Sequence, residues 1–178
     1  GQVVLRKTLK RAQVLTFFAN LPAARIGLEA GGGSHYWVRE LTRLGHEVKL
    51  IAPQFVAPYR KSGKAGKNDR NDAEAICEAV GRPHRRFVPS KSEEQQAVWS
   101  LHRARELAVS DRTALINQMR GLLGEFGLVV AQGRERFEKE LPVMLANLDN
   151  GLPVLARETL TELATQLRAL NERITGYD

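Results

Sequence analysis

Asp69 and Asp72 stand three residues apart in the stretch Lys67-Asn68-Asp69-Arg70-Asn71-Asp72-Ala73-Glu74-Ala75-Ile76, surrounded by basic residues. On a helix, residues three apart share a face, so both carboxylates can point at one spot. Like charges that close repel unless a cation lies between them, and hard divalent cations select carboxylate oxygens. The chemistry this suggests is Mg²⁺ or Mn²⁺ held between acids and a nucleic-acid phosphate. The same residues also suit a helix start, with Asn68 or Asp69 as N-cap and Asp72 and Glu74 against the positive end of the dipole.

A third acid follows from the segment Ile26-Gly27-Leu28-Glu29-Ala30-Gly31-Gly32-Gly33-Ser34-His35-Tyr36-Trp37. Residues 25–29 read as a short strand, three glycines follow, and Ser34 to Leu44 has helical spacing through Trp37, Val38, Leu41 and Leu44. Glu29 is thereby expected at the carboxyl end of a strand, the end where open α/β sheets bind ligands. The triple glycine has neither dinucleotide-binding spacing nor the lysine of a phosphate loop.

Together with a strand at 47–52 and the run Arg112-Thr113-Ala114-Leu115-Ile116-Asn117-Gln118, these segments resemble the DEDD-type insertion-sequence transposases over nearly the whole chain. The resemblance implies an α/β domain of RNase H/RuvC-like type, a mixed sheet with flanking helices, followed by an α-helical coiled-coil extension. It implies that four acids, in the order Asp, Glu, Asp, Asp, bind divalent metal, and Glu29, Asp69 and Asp72 match the last three. The first acid belongs on an opening strand, and no Asp precedes Glu29. A fragment lacking its first central strand, with exposed strand edges, is therefore expected. The family's carboxy-terminal serine domain is likewise expected to be missing. Gly31 stands where relatives usually carry Cys. The resemblance further implies DNA as substrate and a structured guide RNA as partner.

Charge is unevenly distributed. Residues 1–91 hold 17 Lys and Arg against 7 Asp and Glu, whereas residues 92–178 hold 10 against 13, so the first half carries +10 of a net +7. A basic half gains affinity for nucleic acid by releasing counterions, without sequence preference. Its densest cluster, Arg60, Lys61, Lys64, Lys67 and Arg70, flanks the Asp pair, and Arg82, Arg85 and Arg86 follow. This cluster suits strand or guide-RNA capture; a solvated loop suits it equally.

The elements that must position these residues divide the chain into a catalytic domain at 1–91 and a helical assembly region at 92–178. In the first, Val3 to Leu9 alternates like a strand, 11–21 reads as a short helix, 71–80 as the helix of the Asp pair, and 86–89 as a final strand. In the second, Ser92 and Gln95 form a capping box at the head of a helix running toward Gly127. Its stripe is Val98, Leu101, Ala108, Leu115, Met119, Leu122 and Phe126, a partial coiled-coil seam. Residues 134–147 read as a helix interrupted at Pro142, and Leu160, Leu163, Leu167, Leu170 and Ile174 repeat the seam more cleanly. Antiparallel pairing within one chain and pairing between copies both satisfy two such stripes; the second would make a homo-oligomer.

Other residues carry weaker signals. Cys77 beside Ile76 and Val80 is expected in the core, and one cysteine excludes an internal disulfide and suits a reducing cytoplasm. His35, His46, His84 and His102 lack metal-ligand spacing, and His35, near Glu29, is expected to be structural. Tyr36 and Trp37 could stack on bases, although one should face the core. No secretory or membrane-spanning run is present. The function expected is metal-dependent phosphodiester cleavage and strand transfer in DNA transposition. The alternatives are a non-catalytic nucleic-acid-binding and oligomerisation module and a Holliday-junction resolvase-like nuclease.

Overall fold

The structure is a computed structural model that describes residues 4–60, 69–82 and 86–178. Two compact units form, Gly1–Gln95 and Gln96–Asp178.

The first unit is mixed α/β. A 3₁₀ turn at Arg11–Gln13 leads into helix α1 (Val14–Ala19), and strand β1 (Arg25–Glu29) follows. Then come α2 (Ser34–Arg43), β2 (Glu47–Ile51), the short α3 (Pro53–Val56), a 3₁₀ turn at Ala57–Tyr59, and α4 (Asp69–Gly81). Among the described residues the sheet has two strands, parallel, with Gly27 opposite Lys49 and Glu29 opposite Ile51. Parallel neighbours need a crossover, and α2 supplies it. The turn into α2 closes on Gly33, whose φ of +77° favours glycine, while the Ser34 hydroxyl donates to the Gly31 carbonyl at 2.9 Å.

Period-two alternation assigns the faces of the sheet. Ile26 and Leu50 are buried on the α2 side, where Val38 and Leu41 are buried too. Ile51 turns the other way and joins Val56, Ala75, Ala79 and Val80 in a core under α4. Gly27 and Glu29 share that second face through the register with Lys49 and Ile51. His46, 4 % exposed, locks the assembly. Its Nδ1 accepts the Ala24 N–H at 3.2 Å and its Nε2–H donates to the Phe18 carbonyl at 3.0 Å, which fixes the neutral ring between α1 and the start of both strands.

Several sequence expectations fail in this unit. Residues 4–9 form no strand, and Val3 lies outside the described residues. Val4 and Leu5 are 95 % and 60 % exposed, and Arg6 pairs instead with Glu74 on α4 at 2.7 Å. Alternation encodes a pleat, but a strand also needs a neighbour. Residues 86–89 are likewise not a strand. The Val88 N–H does donate to the Leu50 carbonyl at 2.7 Å along the β2 edge away from β1, but among the described residues this one backbone bond is not continued into a ladder. Cys77 is exposed rather than in the core. The buried face of α4 runs through Ala75, Ala79 and Val80, and Cys77 lies about 160° around the helix from Ala75 and Ala79.

The second unit is helical. It is built from α5 (Glu93–Gly124, whose first turn belongs to the first unit), α6 (Arg134–Ala146) and α7 (Val154–Thr175). The capping box forms as expected, with reciprocal bonds between Ser92 and Gln95 at 3.0 and 3.1 Å. One core joins Leu115, Ile116, Met119 and Leu123 of α5 to Phe137 and Leu141 of α6 and Leu160 and Leu167 of α7. Arg112 bonds Asn171 and Arg105 bonds Asp178, so α5 and α7 run antiparallel within one chain. Val98 and Leu101, expected in the seam, are 55 % and 45 % exposed; Phe126, past the end of α5, is exposed as well. Helix α6 passes through Pro142 instead of breaking there. The buried Phe137 and Leu141 on its core face offset the hydrogen bond that proline removes. No helix among the described residues is long and apolar enough to cross a membrane.

Candidate functional site: an acid pair closed by Arg60

The site forms where β1 ends and α4 begins. Gly27 makes it possible, because a Cβ at that position would lie 2.4 Å from Val80 Cγ2 and 2.9 Å from Ile76 Cγ2. Only a bare backbone lets α4 approach β1 this closely. Asp72, Ile76 and Val80 are spaced by four and share a helix face. Glu29 lies two residues beyond Gly27 on the same strand face. Close packing at Gly27 therefore brings Asp72 toward Glu29 without either side chain having to lead.

Arg60, just after the Ala57–Tyr59 turn, joins the two acids. Its Nη2 donates to Glu29 Oε1 and Oε2 at 2.9 and 2.6 Å, and its Nε donates to Asp72 Oδ1 at 2.9 Å. The guanidinium's planar fork suits such bidentate contact. Hydrogen bonding to Glu29, with the charges of Glu29 and Asp72, raises the Arg60 pKa further above its ordinary value. All three side chains keep partial access to solvent, at 37 %, 24 % and 33 % for Arg60, Glu29 and Asp72.

Of the three acids singled out in the sequence, Glu29 and Asp72 thus meet at one cation. Asp69 opens α4 one turn earlier, is exposed, and is outside this ion-pair group among the described residues. Asp69 and Asp72 also occupy the first turn of α4, the position expected of dipole-stabilising acids. Among the described residues, no group of three or more His, Cys, Asp or Glu is placed to hold a metal ion. The donor chemistry nonetheless fits one. Glu29 and Asp72 are hard oxygen donors, the kind a divalent cation selects, and they already converge on one positive charge.

The basic residues are divided. Arg60 is turned onto the acids, Arg70 is exposed and pairs with Glu74 at 3.5 Å, and Arg86 is exposed. Lys61, Lys64, Lys67 and Arg85 lie outside the described residues. His35 accepts the Lys91 N–H on Nδ1 at 3.2 Å, and burial, followed by the charges of Lys91 and Arg39, lowers its pKa. It fastens the segment before α5 and does not meet Glu29. Tyr36 and Trp37 are both half-buried and packed edge to face, and the Arg11 guanidinium lies over both rings, 5.8 and 4.9 Å from their centroids. Sequence reasoning overlooked Gly27 and the inward role of Arg60. An isolated glycine within a strand was the available signal for the first, since it marks a close backbone approach. Nothing local signalled the second.

Comparison with known proteins identifies the family. A family model described as transposase, of the DEDD IS110 type, matches residues 4–127. The chain is 53 % identical over 177 residues to a probable family 20 transposase of Pseudomonas aeruginosa, covering 99 % of this chain and 52 % of that protein. It is 47 % identical over 180 residues to the putative transposase y4pF/y4sB of Sinorhizobium fredii, covering 97 % and 45 %. It is 44 % identical over 178 residues to the transposase for insertion sequence element IS1111A of Coxiella burnetii, covering 100 % and 48 %. The chain spans about half the length of these curated relatives. No solved structure matches it. With its acids at the strand end and a family match over residues 4–127, the chain belongs to the IS110 family of transposases.

Proposed function

We propose that this chain supplies the acidic centre of a DNA transposase, in which Glu29, Asp69 and Asp72 hold Mg²⁺ or Mn²⁺ within an RNase H/RuvC-like domain. The observation that carries this reading is the convergence of Glu29 and Asp72 on the single guanidinium of Arg60. A divalent ion in that position would neutralise a bound phosphate and lower the pKa of an attacking hydroxyl. The chain's own residues do the rest. Gly27 sets the distance between the acids, the paired backbone of β1 and β2 holds Glu29 in place, and the first turn of α4 presents Asp69 and Asp72 together. The basic cluster of Arg60, Lys61, Lys64, Lys67, Arg70, Arg85 and Arg86 supplies phosphate affinity for DNA and for a structured guide RNA. Copies associate as homo-oligomers through the helical region, and the protein acts in the cytoplasm on nucleoid DNA.

Calorimetric titration of Mn²⁺ into the chain, and into Glu29→Gln and Asp72→Asn, tests the metal centre. Binding by the parent that both substitutions abolish is the expected result; equal binding by all three removes Glu29 and Asp72 from the site. A second reading, a nucleic-acid-binding and assembly module without metal chemistry, draws on Arg60 already satisfying both carboxylates. It predicts salt-sensitive DNA affinity that neither substitution nor Mn²⁺ alters.

A further inference from the structure

The helical unit carries a second charged feature, separate from the acid pair. A cleft of about 290 Å³ is lined by Arg112, Thr113, Ile116, Asn117, Arg120 and Arg134. That is roughly ten times a water molecule's share of liquid volume, room for a tetrahedral oxyanion and its hydration. Three arginines therefore line one cleft in the half of the sequence that carries a net charge of −3.

Their partners are unusual. Arg134 is compensated by Glu135 and Glu138, at 3.6 and 3.7 Å. Arg112 and Arg120 form no ion pair with a carboxylate among the described residues. Arg112 donates from Nη1 to the Asn171 side chain at 3.1 Å. Arg120 donates from Nη2 to the carbonyls of Ala131 and Gly133 at 2.9 and 2.8 Å, and its guanidinium lies 5.3 Å from the Phe137 ring centroid. The Nε atoms of both are buried without a hydrogen-bond partner. Among the described residues, two of the three arginines that line this concave site thus have no carboxylate in ion-pair contact of their own. Orphaned buried donors cost stability, and the positive potential of the cleft favours an anion over a neutral ligand.

We propose that this cleft is an oxyanion site that takes a phosphate group, carried either on a nucleic-acid backbone or on a free phosphate compound. Arg112 Nη2 and Arg120 Nη1 are left as charge-assisted donors for phosphate oxygens, and the Asn117 amide and Thr113 hydroxyl complete a polar wall above Ile116. Carboxylate ligands suit the site less well, because a tetrahedral group can face three donors at once.

The test titrates the full chain with inorganic pyrophosphate and, separately, with a short phosphodiester oligonucleotide, at constant ionic strength. Three variants are compared. Arg112→Gln removes one charge and retains an amide for Asn171. Asn117→Asp places a carboxylate in the cleft at an exposed position, so it keeps the fold even where Arg112→Gln does not. Arg168→Gln, on the exposed side of α7, removes a charge elsewhere. Loss of about tenfold in pyrophosphate affinity in both cleft variants, with Arg168→Gln unchanged, is the expected result. A parallel loss for the oligonucleotide assigns the phosphate to nucleic acid, and loss for pyrophosphate alone assigns it to a free compound. Absence of binding by the parent, unchanged affinity in Asn117→Asp, or an equal loss in Arg168→Gln overturns the proposal.

Discussion

Replacing Gly27 with alanine adds one methyl group at the point on which the acid pair depends. That carbon would lie 2.4 Å from Val80 Cγ2 and 2.9 Å from Ile76 Cγ2, against an optimum of about 3.5–4.0 Å between carbons. Helix α4 must move outward by roughly 1 Å, or both side chains must leave their rotamers, and overpacking of this kind costs about 1–3 kcal/mol. Gly27 has ordinary strand geometry, so alanine also removes unfolded-state freedom, which stabilises by about 0.4–1 kcal/mol. The clash outweighs the entropy gain, leaving a net loss of about 1–2 kcal/mol. For a unit of this size that is a fall in melting temperature of about 4–8 °C per kcal/mol. The assay is denaturant unfolding of the parent, Gly27→Ala, Val80→Ala and the double variant. Val80→Ala removes the atom at 2.4 Å, so the double variant should be more stable than the sum of the single effects by about 1 kcal/mol. A neutral or stabilised Gly27→Ala, or single effects that simply add, would refute the account of close packing between α4 and β1.

Arg60→Ala should tighten Mn²⁺ binding by about tenfold in calorimetry, because a competing positive charge leaves two acids facing one another; weaker binding would mean that Arg60 supports the ion instead. His35 has a lowered pKa in the folded chain, so the unfolded chain binds more protons below about pH 6.5 and acid should favour it. Stability should therefore fall as pH drops through and below 6.5, and a pH-resolved melting series of His35→Gln should lose part of that slope. Phe137→Ala removes a side chain with no exposure from the centre of the helical core and should cost about 3–5 kcal/mol by denaturant titration; a loss below about 1 kcal/mol would show that the core collapses around the gap.

What could be read in advance depended on whether the signal was local. The β1–α2–β2 unit was legible because three glycines and a helical period lie next to one another in the chain. The Ser92–Gln95 capping box was legible for the same reason. The expected strand at 3–9 failed because alternation says nothing about whether a neighbouring strand exists. The stripe on α5 was read too far, since a period does not say which of its turns find a packing partner, and Val98 and Leu101 stay exposed. Cys77 was misplaced because the small residues Ala75 and Ala79, not the larger Ile76 alone, define the buried face of α4. Among the site residues, Glu29 and Asp72 follow from strand-end and helix-start patterns. Arg60 looked like one more loop cation, and its two acidic partners lie 31 residues before it in one case and beyond it on α4 in the other.

The antiparallel pairing of α5 with α7 also governs the order in which the chain takes shape during synthesis. Contacts such as Ala24 with His46 join residues 22 apart, so the strand–helix–strand unit can close early. Arg105 waits 73 residues for Asp178, roughly 4–15 s at ribosomal rates of about 5–20 residues per second. Until the chain passes Val154, Leu115, Met119 and Leu123 have no α7 to pack against. Until then the apolar stripe of the nascent α5 is open to aggregation and to capture by chaperones.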